Sequence, residues 1–404
     1  MAHPAPCSPA IPSTKVPAGA RWARAFRYTP LMVPVPIHRV RADGGVDRLG
    51  EYDPARRALR LDAPGFPLAP PGEHPCPGDL PWVFFDMLPS GFLGRRFAHA
   101  FAHLRLPVDA SRWSAQQSLR ALAEAGHDLS GNLILGDESL RRYEHIFAGG
   151  DKRIPGPDRG EAPTHFGRFV EGTLDAAGSE SSLGGERPKF SLRLSDGGAW
   201  LVKFSPPLST EAGRRWADIL RVELHAAAVA RAHGYASVTG EVIERDGRAF
   251  LVLERFDRVV GGGRRGAVTW YWLGSERYGS VDPDVIADGL RADGALTPED
   301  HARFVRAQSF AEGMGNTDAH AGNYALTIDD AGVSRLAPLY DLAPMALAPR
   351  HDELPDARVR PWPAPADPDA RAMVRDLATR VAGDALISSG FRALWTRCAM
   401  GSLA

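Results

Sequence analysis

The chain has 404 residues, of which 44% are apolar and 24% charged, and its 48 basic and 49 acidic residues leave a net charge of −1. These are the values of a soluble globular protein that is long enough for two or three domains. The near-zero net charge gives no overall electrostatic case for binding nucleic acid.

The N-terminal segment MAHPAPCSPAIPSTKVPAG lacks the apolar core of a secretory signal, and a disordered tail is expected at 1–19. No run of roughly 18 apolar residues predicts a membrane span. The cysteines, Cys7, Cys76 and Cys398, are too few and too scattered for a disulfide framework or a zinc site. Together these features favour a reducing, cytoplasmic location.

Apolar runs broken by Pro and Gly between residues 20 and 70 predict short strands, with a hairpin turn at DGG, 43–45. The Pro-rich stretch 63–81 is expected to be a loop. Helices follow, because apolar residues recur at near-helical spacing between 80 and 104.

A further helix is predicted at Ser111–Ala125, with Ser114 as a candidate N-cap and Gly126 at its end. Residues 130–138 predict one short strand. The polar stretch 137–165 is interpreted as a domain boundary or an exposed linker.

The next segment mixes strands and a helix. Turn signals at SDGG and DG separate two pairs of apolar, alternating runs, which predicts two hairpins around one long helix. The predicted elements are strands Pro188–Leu194 and Ala199–Phe204, helix Ser209–His233, and strands Val238–Ile243 and Arg248–Glu254.

Beyond residue 300 the pattern is mostly helical, apart from one predicted hairpin. Asp318 is followed at Asn323 by an amide, and Asp341 comes after two apolar runs, Tyr324–Ile328 and Leu336–Tyr340. A hairpin of these runs would bring the amide and the later carboxylate to the same end. One carboxylate that orients an attacking hydroxyl, with an amide and a second carboxylate on a metal, suits phosphoryl transfer. The same residue types are also common in turns, where they bond to nearby backbone.

Lys203 lies near the end of the predicted strand WLVKF, and Glu223 lies in the next helix. Phosphotransferases use a strand Lys on the ATP phosphates and a helix Glu to hold it. The alternative is a half-buried Lys that extends to solvent, with Glu223 a solvated charge. His320 is either a base or metal ligand, or a structural hydrogen-bonding residue.

The loop SSLGGERPKF, 181–190, contains Gly184 and Gly185, which would let backbone N–H groups approach phosphates closely. An ordinary flexible turn would explain these two glycines equally well. The strand LVLERFDR becomes charged at its end, where the backbone from Glu254 to Phe256 would offer donors and acceptors to an adenine edge. The same residues also fit a simple strand end.

Taken together, this order of motifs resembles the HipA family of bacterial serine/threonine kinases, the toxins of type II toxin–antitoxin pairs. PSGFLGRRFA and HDLSGNLILGDE resemble its YjjJ-like branch. The other matching segments, which extend the resemblance over roughly residues 20–400, are S-x-G-G-x-x-P-K (Ser182 to Lys189), VKF with Lys203, ERFDR (Glu254 to Arg258), NTDAHAGN (Asn316 to Asn323) and LAPLYD (Leu336 to Asp341).

The resemblance implies an α+β, two-lobed protein-kinase-like fold with an N-terminal β-rich subdomain and a mainly helical C-terminal lobe. The implied regions are a tail at 1–19, the N-terminal subdomain at 20–150, a kinase N-lobe at 151–260 with the Gly-rich loop and the ATP lysine, and a C-lobe at 261–404 with the catalytic segment.

The resemblance also implies roles for single residues. A serine of the Gly-rich loop is autophosphorylated in the family, which ejects the loop; Ser182 aligns with it, and Ser181 is the adjacent alternative. The implied site is Asp318 as base, Asn323 and Asp341 as Mg²⁺ ligands, Lys203 on the ATP phosphates with Glu223 as its partner, Gly184 and Gly185 along the phosphates, and Glu254 and Phe256 at the adenine hinge.

The implied partners are a protein substrate, such as an aminoacyl-tRNA synthetase, and a small DNA-binding antitoxin. The helix-turn-helix segment of YjjJ-like members is not expected in the short Pro-rich tail, so direct DNA binding is not expected. Two other hypotheses are a small-molecule kinase and a weakly catalytic partner in a transcriptional repressor complex. The Ser182 loop favours a protein kinase over a small-molecule kinase. The argument against a weakly catalytic partner is that the chain keeps Asp318, Asn323, Asp341 and Lys203.

Overall fold

The computed structural model of the protein describes residues 31–147, 154–177, 188–350, 353–355 and 360–401. The predicted tail at 1–19 and the predicted Gly-rich loop with Ser181, Ser182, Gly184 and Gly185 lie outside the described residues.

The N-terminal part is built on an antiparallel sheet. Its strands are β1 (Val35–Val40), β2 (Val46–Asp53), β3 (Ala58–Leu61), β4 (Gly72–Pro75) and β5 (Leu133–Leu135). Within the described residues their order is β4-β3-β2-β1-β5. The predicted DGG turn is confirmed between β1 and β2, with Gly44 at a φ of 85°. The loop predicted at 63–81 is wrong in part, because β4 pairs with β3 there as an edge strand, where a proline is tolerated.

Helices cover this sheet, namely α1 (Trp82–Met87), α2 (Gly91–Ala100), α3 (Ala115–Ala125) and α4 (Asp137–Phe147). The predicted N-cap of α3 is confirmed, since the Ser114 hydroxyl accepts from the Gln117 N–H at 3.3 Å and the Gln117 side chain accepts from the Ser114 N–H at 2.8 Å. The linker interpretation of 137–165 is wrong for α4. That helix is polar on its outer face but buries Tyr143.

The middle of the chain forms a second antiparallel sheet with a helix against each face. The elements are α5 (Phe166–Ala177), β6 (Lys189–Arg193), β7 (Ala199–Phe204), α6 (Glu211–Ala232), β8 (Gly240–Arg245) and β9 (Arg248–Glu254), and within the described residues the strand order is β6-β7-β9-β8. Side chains alternate along β9, as a strand requires. Phe250 packs in the cluster of Phe166 on α5, whereas Leu251 packs in the cluster of Leu220 on α6. Both hairpins and α6 confirm the predictions, whereas α5 was not predicted.

The C-terminal part is mainly helical. It contains β10 (Gly266–Thr269), α7 (Trp270–Tyr278), α8 (Pro283–Ala292), α9 (Pro298–Gly313), β11 (Ala325–Ile328), β12 (Ser334–Leu336), α10 (Pro368–Gly383) and α11 (Ser389–Met400). The predicted hairpin is confirmed as β11 and β12, although its second strand begins at Ser334 rather than Leu336, and β10 pairs with the other edge of β11. Over the part of the chain that is described, the helices are all too short or too polar to cross a membrane.

A buried group of charges, here called the Asp257 cluster, joins the second sheet to the N-terminal part. It consists of Asp128, Gly131, Arg255, Asp257 and Arg258. One oxygen of Asp257 accepts from both arginines at 2.8 Å and from the Gly131 N–H at 2.9 Å, and Arg258 also donates to Asp128 at 3.2 Å. Burial raises the pKa of Asp257, but the two arginines outweigh it and hold that pKa well below its ordinary value. The carboxylate therefore stays charged and joins the segment 255–258 to Gly131 of the N-terminal part.

Replacing Asp257 by Asn should lower the free energy of unfolding by about 3–5 kcal/mol, because two buried guanidinium groups lose their counter-charge. Urea denaturation at pH 7 measures this change. The control is Asp369→Asn, which removes an exposed ion pair with Arg306 and should cost less than about 1 kcal/mol. Equal losses in the two variants would contradict the role of the Asp257 cluster.

Candidate active site

Lys203 on β7 is held between carboxylates from two other parts of the chain. Its Nζ lies 2.5 Å from Oε1 of Glu223 on α6 and also contacts Oδ1 of Asp341. The side chains of Lys203 and Glu223 are only 6% and 2% exposed. The alternative of a solvent-extended lysine beside a solvated glutamate is therefore wrong. This Lys–Glu pair is the one that a kinase requires between a strand and a helix.

Asp341 occupies a left-handed backbone conformation, with a φ of 56°. Asp adopts this conformation more readily than most residues, but it still costs energy and is frequent at functional sites. Two donors hold its carbonyl oxygen, namely Asn316 Nδ2 and the Ala343 N–H, each at 3.0 Å. The fixed backbone directs the carboxylate towards Lys203.

The segment from 316 to 323 is fixed by its own polar groups. The Asp318 N–H donates to Asn316 Oδ1 at 3.1 Å, and Asn323 Nδ2 donates to the Asp318 carbonyl at 2.7 Å, while the Asp318 side chain is exposed. His320 Nδ1 accepts from the Gly322 N–H at 2.9 Å, which is the structural role among the two interpretations. The sequence did not single out Asn316 as a functional candidate, although it stands in the same NTD motif as Asp318. Its side chain connects the two aspartates, because it accepts from the Asp318 N–H and donates to the Asp341 carbonyl.

The side chains of the predicted hinge residues make other contacts. The Glu254 carboxylate accepts from Trp200 Nε1 at 2.8 Å and pairs with Arg159. The Phe256 ring stacks on Tyr340, with 6.0 Å between the ring centroids. A hinge role would therefore fall to the main chain of these residues, and that role stays a prediction.

A cavity of about 800 Å³ brings four of the predicted site residues together, namely Lys203, Asp318, Asn323 and Asp341. Residues of α1, of the start of α2 and of the start of α7 also line it. Glu254 and Phe256 are not among its described lining residues. The charged and polar lining residues from the second sheet and from the segment 316–341 are Lys189, Lys203, Asn316, Asp318, His320, Asn323 and Asp341.

Two oxygen-bearing side chains in this cavity fit a magnesium ion. Asn323 donates through its amide nitrogen, so its amide oxygen lies on the opposite side, and the Asp341 carboxylate is partly exposed. Mg²⁺ is commonly bound through one or two such side chains together with phosphate oxygens and water. Among the described residues, no three His, Cys, Asp or Glu side chains are grouped as a metal cage.

Asp86 of α1 also lines the cavity and fixes the start of α7. Its carboxylate accepts from the Thr269 N–H at 2.8 Å and from the Thr269 hydroxyl. Burial raises the pKa of Asp86 to about 6, although these two hydrogen bonds act in the opposite direction. No sequence signal indicated this residue, since its partner is far away along the chain.

The raised pKa of Asp86 predicts a pH effect on stability. Between about pH 4 and 6 the folded protein binds the Asp86 proton and the unfolded chain does not, so stability falls as pH rises, by on the order of 2–3 kcal/mol. Asp86→Asn should remove this part of the pH dependence. Urea denaturation at pH 4, 5, 6 and 7 measures it, and Asp369→Asn should keep the wild-type dependence. Parallel profiles for wild type and Asp86→Asn would contradict the prediction.

Comparisons with known proteins show the family and the fold of this chain. The family of YjjJ-like toxin middle domains matches residues 31–144, and the family of HipA-like C-terminal domains matches residues 181–384. Toxin YjjJ of Escherichia coli K12 is 31% identical over 278 residues, which span 67% of this chain and 61% of that toxin. HipA of Shewanella oneidensis MR-1, solved in a complex with HipB and its operator DNA, superposes with a TM-score of 0.59 at 15% identity, over 91% of this chain and 97% of HipA.

The fold is therefore the two-lobed, kinase-like fold of HipA, with an N-terminal β-rich subdomain and a mainly helical C-terminal lobe, as predicted. The chain belongs to the HipA family of toxins, in its YjjJ-like branch.

Proposed function

We propose that this protein is an ATP-dependent serine/threonine protein kinase of HipA toxin type that acts in the cytoplasm. The observation that carries the proposal is the placement of Lys203 against Glu223 and Asp341, at a cavity that Asp318 and Asn323 also line. Strand lysine, helix glutamate, base, amide and late aspartate are the parts that kinases use for phosphoryl transfer.

In the proposed reaction, the Asp318 carboxylate accepts the proton of a serine or threonine hydroxyl. The hydroxyl oxygen bonds to the γ-phosphorus of ATP, the bond from that phosphorus to the β–γ bridging oxygen breaks, and ADP leaves. Lys203 holds the phosphates by charge-assisted hydrogen bonds. Asn323 and Asp341 would hold Mg²⁺, which supplies neutralising charge when it is bound.

Main-chain groups would complete the nucleotide-binding site. Those of Gly184 and Gly185 would lie along the phosphates, and those of Glu254 and Phe256 at the adenine. We also propose a small DNA-binding antitoxin as a partner, because the related HipA was solved together with HipB and operator DNA. We also propose that the N-terminal subdomain ends at residue 150 and that the kinase N-lobe ends at residue 260.

Asp318→Asn should lower phosphoryl transfer by about a hundredfold or more, because the base acts in the chemical step. Nucleotide binding should be nearly unchanged. The measurement is incubation with labelled ATP and magnesium, followed by separation of labelled protein from labelled metabolites, with Asp369→Asn as the active control. Transfer by Asp318→Asn at the wild-type rate would overturn the assignment, and label found only on an added metabolite would favour a small-molecule kinase.

Ser182→Ala should keep the protein active for longer. Autophosphorylation would add a charge of about −1.5 to −2 at Ser182, which the phosphates of ATP repel, so the modified loop should leave the site and ATP affinity should fall. Phosphopeptide mapping after incubation with ATP, with nucleotide affinity measured before and after, tests this. Label on another serine such as Ser179 without loss of affinity would leave Ser182 a turn residue, and label on Ser181 would move the mechanism by one position.

A further inference from the structure

The two proposed metal ligands stand on two segments beyond the paired part of the β11–β12 hairpin. In the described residues, the main-chain pairing of this hairpin continues as far as the bond from the Ala337 N–H to the Ala325 carbonyl, at 2.9 Å. Asn323 precedes this pair on one side, and Asp341 follows it on the other. A metal site that takes one ligand from each side therefore needs a further link that orients them.

The Tyr340 side chain provides such a link. Its hydroxyl donates to the Gly322 carbonyl at 3.1 Å. A phenol hydroxyl carries its proton at neutral pH and a carbonyl only accepts, so the direction of this hydrogen bond is fixed. Tyr340 is the residue before Asp341, and Gly322 is the residue before Asn323. The bond thus joins the two segments one residue away from each ligand.

The fold holds Tyr340 itself in place. The preceding residue, Leu339, accepts from the Val238 N–H at 3.0 Å, and its own N–H donates to the Ala236 carbonyl at 2.9 Å. The Tyr340 ring stacks on Phe256, with 6.0 Å between the ring centroids. Because neighbouring main chain and a packed ring both fix this residue, its hydroxyl is a preorganised support for the segment that it contacts.

Together with two asparagines, this hydroxyl closes a circuit of hydrogen bonds around the site. Asn316 bridges the Asp318 N–H and the Asp341 carbonyl, and Asn323 Nδ2 donates to the Asp318 carbonyl at 2.7 Å. The peptide bond between Tyr340 and Asp341 connects these contacts to the hydroxyl. The circuit therefore runs through the proposed base and both proposed ligands.

We propose that Tyr340 is a positioning residue for the phosphoryl transfer. Asn323 ends a single 3₁₀ turn, Ala321–Asn323, and the hydrogen-bond geometry of such a turn is weak by itself. By holding a carbonyl inside this turn, the Tyr340 hydroxyl fixes the Asn323 side chain relative to the Asp341 carboxylate, so that one ion can bind both. The inference rests on the proposed kinase function and adds a residue that acts through the main chain of the turn.

Tyr340→Phe removes the hydroxyl and keeps the ring, and Tyr52→Phe is its matched control. The Tyr52 hydroxyl also donates to a main-chain carbonyl, that of Asp79 at 2.7 Å, but it lies in the N-terminal sheet. Amide hydrogen exchange of the full chain, without nucleotide or metal, should be at least about threefold faster over 318–324 in Tyr340→Phe. Exchange over the same residues should keep the wild-type rate in Tyr52→Phe.

The affinity for ATP, measured by competition against a fluorescent ATP analogue with and without Mg²⁺, separates positioning from stability. With Mg²⁺, Tyr340→Phe should bind ATP about three- to tenfold more weakly than wild type, because the two ligands are no longer held at a fixed separation. Without Mg²⁺, its affinity should equal that of wild type. Tyr52→Phe should bind like wild type under both conditions, even where its melting temperature falls as far.

Wild-type exchange over 318–324 in Tyr340→Phe would overturn the inference, as would an equal loss of ATP affinity with and without Mg²⁺, or no loss at all. A wild-type protein whose ATP affinity does not respond to Mg²⁺ would overturn the proposed metal site and, with it, this role of Tyr340. The exchange measurement needs neither ATP nor metal, so the two failures are distinguishable. If Tyr340→Phe does not fold, Asn316→Ser opens the same circuit at another bond and should reproduce both changes.

Discussion

The site depends on one buried ammonium group. Lys203 brings a β-strand, the following long helix and the segment around Asp341 to a single point. Removing Lys203 would take the shared counter-charge from Glu223 and Asp341 in a region from which water is largely excluded, where an uncompensated charge costs several kcal/mol. The ion pair therefore does more than bind a phosphate. It fixes the distance between the sheet and the C-terminal segment, and it ties the late aspartate, held in a strained backbone conformation, to the rest of the site.

The Asp257 cluster performs a comparable task at the other junction. The ERFDR motif, in which a hinge role is expected for Glu254 and Phe256, uses its other charged residues to bind the main chain of the N-terminal part through Gly131. The end of β9 is thereby held by the N-terminal part of the chain. A movement of that part would act directly on the strand end proposed for the adenine edge.

These two junctions explain how three parts of the chain share one cavity. The second sheet supplies cations, the segment from 316 to 341 supplies carboxylates and amides, and the N-terminal part supplies further lining residues. Asp86 couples the last two, because it bonds Thr269, which pairs with Ala325 of β11. The N-terminal part of this chain therefore completes the cavity itself, in addition to packing beside the kinase-like lobes.

The sequence by itself determined the elements whose signals are local. The alternation along β9, the Ser114 cap and the spacing from Asp318 to Asn323 depend on neighbouring residues, and each agrees with the structure. Polar α4 and glycine-containing α5 escaped prediction because packing against distant residues, rather than helix propensity, stabilises them. Only the tertiary structure decided which charges meet. Lys203 and Asp341 are 138 residues apart, Gly131 and Asp257 are 126 apart, and Asp86 and Thr269 are 183 apart. Coulomb forces and burial act through space, so no pattern within a short window could reveal these pairs.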